Sequence, residues 1–145
     1  MPVTAAAFGP TGVGSGDNPG HAGDAIDASL STAWRSDWYR SAAFGHLQPG
    51  TGLLIDMGRP VTIVTVRLVL GANRGADLQL VTGSVAELSQ MRIEASVTGA
   101  GGSVSLALAH PQSARYLLIW FTLLPPDGAG TFQASLYDVS IDGTP

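Results

Sequence analysis

Between Asp24 and Arg40 the stretch DAIDASLSTAWRSDWYR runs an acidic, hydroxyl-rich turn into a dense group: Trp34, Arg35, Asp37, Trp38, Tyr39 and Arg40. Two of the three tryptophans and two of the seven basic residues gather there, a concentration found nowhere else in the chain. The segment has no strand alternation, so at least one of Trp38 and Tyr39 must face solvent or a loop pocket. Exposed rings of this kind stack on the apolar faces of sugars or pack at protein interfaces, and plain loop packing satisfies the same constraint. Arg35 and Arg40 carry planar guanidinium forks that match carboxylates and phosphates, although a solvated arginine needs no ligand. Further on, Gly71-Ala72-Asn73-Arg74-Gly75 joins two apolar runs and offers an amide and a guanidinium to sugar hydroxyls. Pro125-Pro126-Asp127-Gly128 is a stiff turn ahead of a flexible Gly-Ala-Gly. Both loops are also readable as ordinary turns.

Catalytic chemistry finds little support. His21, His46 and His110 are far apart, each in a Gly- or Pro-flanked turn. No Gly-x-Ser-x-Gly elbow, His-Glu-x-x-His helix or phosphate-binding loop occurs. The absence of cysteine excludes thiol catalysis and cysteine-ligated metals. The sequence therefore reads as a binding or structural module, not an enzyme.

The scaffold that must position these residues is bounded by composition. A chain of 145 residues fits one domain that buries roughly 68–70% of its unfolded surface. Charged residues make up only 12%, and 19 glycines with 9 prolines interrupt the chain too often for long helices. A net charge of −4 argues against nucleic-acid binding, which normally needs a basic stripe. The longest apolar run, Leu117 to Leu124, is far short of the roughly 20 residues that span a bilayer, so this fragment inserts in no membrane by a helix of its own. Short runs rich in Val, Ile, Leu, Thr and aromatics, bounded by Gly, Pro, Asn or Asp, predict strands over 52–57, 62–70, 77–82, 91–97, 104–108, 115–124 and 132–141. Leu117-Leu118-Ile119-Trp120-Phe121 is apolar on both faces, which suggests a central strand covered by loops or by a partner. Gly99 to Gly102 reads as a hairpin turn, and Ser84 to Gln90 is the only helical candidate. Residues 1–16 read as a flexible lead-in to a domain over 17–143. Seven or so such strands imply an all-β sandwich, jelly-roll or immunoglobulin-like.

Asn18-Pro19-Gly20, AIDASLSTAW at 25–34, GLLIDMGRPVTIVTVRLVL at 52–70, RYLLIWF at 115–121 and LYDVSIDG at 136–143 stand in an order that resembles discoidin or coagulation-factor type C domains, which are galactose-binding-like. That resemblance implies a single jelly-roll β-sandwich of about eight mostly antiparallel strands, noncatalytic, with a recognition surface built from loops at one end. It also places Trp34 in the core beneath those loops. Many members hold a structural calcium through positions matching Asp27, Thr32 and Asp138. This sequence reads Asp27-Ala28-Ser29 where an Asp-Gly-Asp turn is usual, losing a carboxylate and a glycine. Calcium wants six to eight oxygens, so a metal-free turn capped by Asp27, with Asp138 tying it to the last strand, is the preferred expectation and no cofactor is required.

More narrowly, the DNPG run at 17–20, Ser36 to Arg40, and FGHLQPGTGLLIDMG at 44–58 are similar to the C-terminal extracytoplasmic domain of actinobacterial MviN-type proteins, membrane proteins of the lipid II flippase class. The implied ligand is then a cell-wall glycan or muropeptide, or an envelope protein, read by Arg35, Trp38, Tyr39, Arg40, Asn73 and Arg74. The implied location is extracytoplasmic, tethered by a membrane-spanning parent. A carbohydrate-binding module of a secreted glycoside-active enzyme, and a structural domain without a small ligand, are the alternative readings.

Overall fold

The computed structural model describes residues 4–9, 12–13, 16–27, 29–43, 50–109, 111 and 113–144; His46, His110 and positions 44–49 of the 44–58 phrase that carries the narrow resemblance lie outside them. The described strands are β1 (Thr4–Gly9), β2 (Gly12–Val13), β3 (Trp34–Arg35), β4 (Thr51–Leu70), β5 (Ala76–Gly83), β6 (Arg92–Ala100), β7 (Ser103–Ala107), β8 (Ser113–Leu123) and β9 (Ser135–Thr144). All their ladders are antiparallel. Short 3-10 helices occupy Pro19–Ala25 and Leu88–Gln90. The result is the antiparallel β-sandwich expected.

Strand β4 belongs to both layers. Its first half lies between β1 and β8 in the order β2-β1-β4-β8-β5-β6, and its second half pairs with β9 and β7. The two runs expected as separate strands, 52–57 and 62–70, are thus one strand that turns a corner. The register slips between Asp56 and Val61, where Gly58 has φ 77°, a backbone that glycine adopts without penalty. Asp56 pins this corner by accepting the Gly58 N–H at 2.7 Å and both Nε and Nη2 of Arg115 on β8, at 2.9 and 3.1 Å.

The main core fills the space between the layers. Leu53, Ile55, Val61, Ile63, Val66, Leu68, Leu78, Leu80, Leu117, Ile119, Phe121 and Leu136 are buried there with Trp34. Because successive strand residues face opposite sides, Leu118 and Trp120 of β8 point the other way. They form a second cluster with Phe8, Leu54 and Val81, packed against Ala86, Leu88, Met91 and Tyr116. Phe8 meets Trp120 edge-on at 6.0 Å. The double-sided apolar run is therefore covered by the chain itself.

Three expectations need correction. The stretch 1–16 contains β1, paired with β4 and burying Ala7 and Phe8; three successive alanines hide the alternation that would have marked it. The helical candidate 84–90 holds only one 3-10 turn, Leu88–Gln90, and the longer 3-10 helix, Pro19–Ala25, starts at a proline suited to a first turn. Gly99–Gly102 closes no hairpin ladder: β6 pairs with β5 and β7 with β4, so the chain changes layer there. Gly102 exchanges backbone bonds with Leu70 and Gly71, at 2.8 and 2.9 Å.

Candidate functional site

The segment after Trp34 is held from two sides. On one side it runs antiparallel to the approach of β9: Trp34 and Arg35 pair with Leu136 and Ser135. The Ser36 N–H donates to the Ala134 carbonyl at 3.0 Å, and Tyr39 and Phe132 exchange both backbone bonds at 2.8 Å. On the other side stands Asp17, which is buried. Its carbonyl accepts the Trp34 indole N–H at 2.8 Å, and its Oδ2 accepts the Asp37 N–H at 3.1 Å and the Tyr39 hydroxyl at 3.0 Å. Asn18 adds a bond from Nδ2 to the Arg35 carbonyl at 2.7 Å. Burial first, and then the neighbouring Asp17 charge, pushes the Asp37 carboxyl above its ordinary range. Trp34 is fully buried, tilted against Phe121 at 6.3 Å.

This anchoring presents Arg35 to a hollow of about 240 Å³ at one end of the sandwich, where 71–76 and 125–137 converge. Arg35, Asn73, Asp127, Gln133, Ser135 and Tyr137 supply its polar wall, over a floor that includes Leu70 and Phe121. Asn73 donates from Nδ2 to the Pro126 carbonyl at 2.9 Å, locking the two loops together. Gln133 donates from Nε2 to the Ser36 carbonyl at 2.8 Å. The Arg35 Nη2 donates to the Tyr137 hydroxyl at 3.1 Å, and the guanidinium lies 5.5 Å from that ring's centre. Asp127 closes its own loop, accepting the Ala129 N–H at 2.8 Å and the Thr131 hydroxyl. The Thr131 bond, aided by the backbone, holds its carboxyl below the usual range.

Of the residues singled out in the sequence, Arg35 and Asn73 meet in this hollow, and the loops 71–75 and 125–128 prove to be partners. Arg74 and Arg40 are exposed and outside its walls, and Trp38 stands 61% exposed on the surface. Tyr39 is half-buried, its hydroxyl committed to Asp17. Gln133, Ser135 and Tyr137 were not anticipated as site residues, since a run ending in alternating hydrophobics gives no sign that its first residues line a loop-end hollow. Asp17 was missed too, apart from the turn signal in the residues that follow it.

Asp27 and Thr32 do come together, but as a closed turn. Asp27 accepts the Ser29 N–H at 3.0 Å through Oδ1 and the Thr32 hydroxyl through Oδ2. The Thr32 bond, then Ser29, draws its carboxyl below the ordinary range. Asp138 does not tie this turn to β9: its Oδ2 accepts the Ser140 hydroxyl at 3.2 Å, and it lines a separate shallow groove with Arg67, Val69 and Ser105 on the outer face of the sheet. Both oxygens of Asp27 are engaged and the second carboxylate is turned elsewhere, so the set does not fit a cation that takes six to eight oxygens. Among the described residues no group of three His, Cys, Asp or Glu is arranged to hold a metal.

No family model matches the sequence. Solved structures do share its architecture. Family 32 carbohydrate-binding module of AlyQ, solved with 4,5-unsaturated mannuronic acid, has a TM-score of 0.66 at 19% identity, covering 98% of this chain and 95% of that one. Chitosan-binding module 1 of a chitosanase/glucanase from Paenibacillus sp. IK-5 scores 0.69 at 19% identity, with 99% and 96% covered. The family 32 module of NanJ from C. perfringens, solved with galactose, scores 0.65 at 17%, with 95% and 91% covered. At such identities the likeness is one of fold, and the chain has the discoidin-like jelly-roll fold of these carbohydrate-binding modules.

Proposed function

We propose that this domain is a noncatalytic carbohydrate-recognition module that takes a glycan in the hollow between loops 71–76 and 125–137. The observation that carries this reading is the convergence of Arg35, Asn73, Gln133 and Tyr137 around one small concavity. Its volume of about 240 Å³ is below the range typical of drug-sized sites, and suits a single small polar ring. Planar amides and a guanidinium match the hydroxyl pattern of a sugar, and the flanking aromatic Tyr137 offers a face for stacking. The similar structures add support, since each named above is a carbohydrate-binding module, two of them were solved with a sugar and the third derives from a chitosanase/glucanase.

That support favours a module of the kind attached to secreted glycan-active proteins over the narrower MviN-type reading. The latter rests on the sequence phrases at 17–20, 36–40 and 44–58 and is carried by no structure named above. It keeps a distinct consequence: the glycan would be a muropeptide or another cell-wall sugar, met outside the cytoplasm. The test is calorimetric titration of the 145-residue chain with neutral and acidic oligosaccharides and with soluble muropeptides. Binding of any of them, weakened about tenfold or more by Asn73→Ala and by Tyr137→Ala, is the expected result. Trp38→Ala and Arg74→Ala, run alongside, assign those exposed residues to the site or remove them from it. Silence across the whole panel would sink the carbohydrate reading.

A further inference from the structure

We propose that the site takes two consecutive residues of an anionic glycan, with the carboxylate of one sugar seated on the Arg35 guanidinium. This rests on the carbohydrate reading above and specifies its ligand. A second hollow, of about 250 Å³, is lined by Asn18, His21, Ala33, Arg35 and Gln133. Arg35 and Gln133 are common to both hollows. Each has the size of a single small ring, and the shared wall between them is where a glycosidic link would lie.

Arg35 is the group that selects charge. It is exposed, and among the described residues the ion pairs are His21 with Asp24, Arg67 with Asp142 and Arg115 with Asp56, none of which involves it. Only its Nη2 is engaged, by the Tyr137 hydroxyl, leaving further N–H donors of the fork to meet a carboxylate. The ring and hydroxyl of Tyr137 hold the guanidinium, and the Asn18 bond holds the Arg35 backbone, before any ligand arrives, which lowers the ordering cost of binding. The hydroxyls of the same sugar meet both donors and acceptors, because Asn73 and Gln133 each spend one amide N–H on a backbone carbonyl and keep a second N–H and the carbonyl oxygen for a ligand. The one carboxylate in the wall, Asp127, has its oxygens taken by Ala129 and Thr131; its charge repels an anion from that side and so orients the ligand's carboxylate toward Arg35. With a net charge of −4 the molecule offers no general attraction to polyanions, so anion preference here has to be local.

The test compares galacturonic acid, digalacturonic acid and their methyl esters by calorimetry on the unmodified chain, with glucuronate and mannuronate disaccharides and neutral galactobiose in parallel. The expected result is a uronate disaccharide binding about ten- to a hundredfold tighter than its methyl ester, the gain of a hydrogen-bonded charge. The disaccharide should also bind tighter than its monosaccharide. Arg35→Gln should bring acid and ester to equal affinity, and His21→Ala should lower the ratio of disaccharide to monosaccharide affinity. Equal binding of acid and ester by the unmodified chain overturns the anionic assignment while leaving a carbohydrate site standing. Equal binding of disaccharide and monosaccharide overturns the paired hollows. No binding of any of these sugars overturns this inference, and silence of the muropeptides as well overturns the carbohydrate reading with it.

Discussion

Asp17 bears more of the site's architecture than any residue within the aromatic cluster itself. Three donors converge on it from 17 to 22 positions away in sequence: the Trp34 indole, the Asp37 N–H and the Tyr39 hydroxyl. Removing the carboxylate strands two of them in a part-buried place, and each unsatisfied donor costs about 1–3 kcal/mol. Asp17→Ala should therefore lose about 3 kcal/mol, read from denaturant midpoints, with Asp17→Asn losing less because it keeps an acceptor. Trp38→Ala, by contrast, should stay within about 0.5 kcal/mol, as exposed substitutions do. If the two changes cost the same, Asp17 is not the anchor. At this scale the sequence showed which residues were unusual but not which were in charge. Trp34 was readable as core through its motif, and it is buried; Trp38, Tyr39 and Arg40 stood out by density alone, and density does not say which way a side chain points.

Elements were easier to read than their connections. All the predicted runs after position 50 are strands, because a half-buried strand writes a period of two into its residues. What escaped was how strands share layers. The single strand β4 looks like two because Gly58-Arg59-Pro60 breaks the apolar pattern at the corner, and β1 looks like a lead-in because alanine reports neither face. The stretch 84–90 is a further case, read as the helical candidate and found, with Met91, to cover the outer cluster of Leu118 and Trp120. If that contact is what keeps the outer face dry, Leu88→Ser should lower stability by about 1–2 kcal/mol, a part of what full burial of such a side chain is worth. It should also move the Trp120 indole signal in a two-dimensional NMR spectrum while leaving that of Trp34 in place. Unmoved Trp120 with unchanged stability would mean that the segment merely passes over β8.

For the molecule as a whole, the site is legible only in fragments, since Arg35, Asn73, Gln133 and Tyr137 reach one hollow from three separate stretches that no spacing rule connects. Two local turns and one long-range pair make the fold sensitive to acid. Asp27, Asp56 and Asp127 each lock a turn or corner, and each is held below its ordinary value of 3.8, chiefly by Thr32, Arg115 and Thr131 respectively. Depressed carboxylates contribute stability that is whole above the unfolded value and is lost as pH falls through the folded ones. Asp37 has the opposite sign: raised above 3.8 by burial and by Asp17, its ionisation works against the fold as pH rises through that raised value. The thermal midpoint should accordingly hold steady near neutrality and fall once the pH drops below about 3.8. Asp56→Asn should flatten the acid limb by removing one of the three locks, while lowering the midpoint at neutral pH. Asp37→Asn should do the reverse at neutral pH, raising the midpoint, because it takes away a charge that the Asp17 carboxylate opposes. A wild-type midpoint that rises on acidification would show that the three depressed carboxylates are not locks, whereas an Asp37→Asn variant less stable than its parent at neutral pH would show that the charge of Asp37 is needed by the loop and not merely tolerated there.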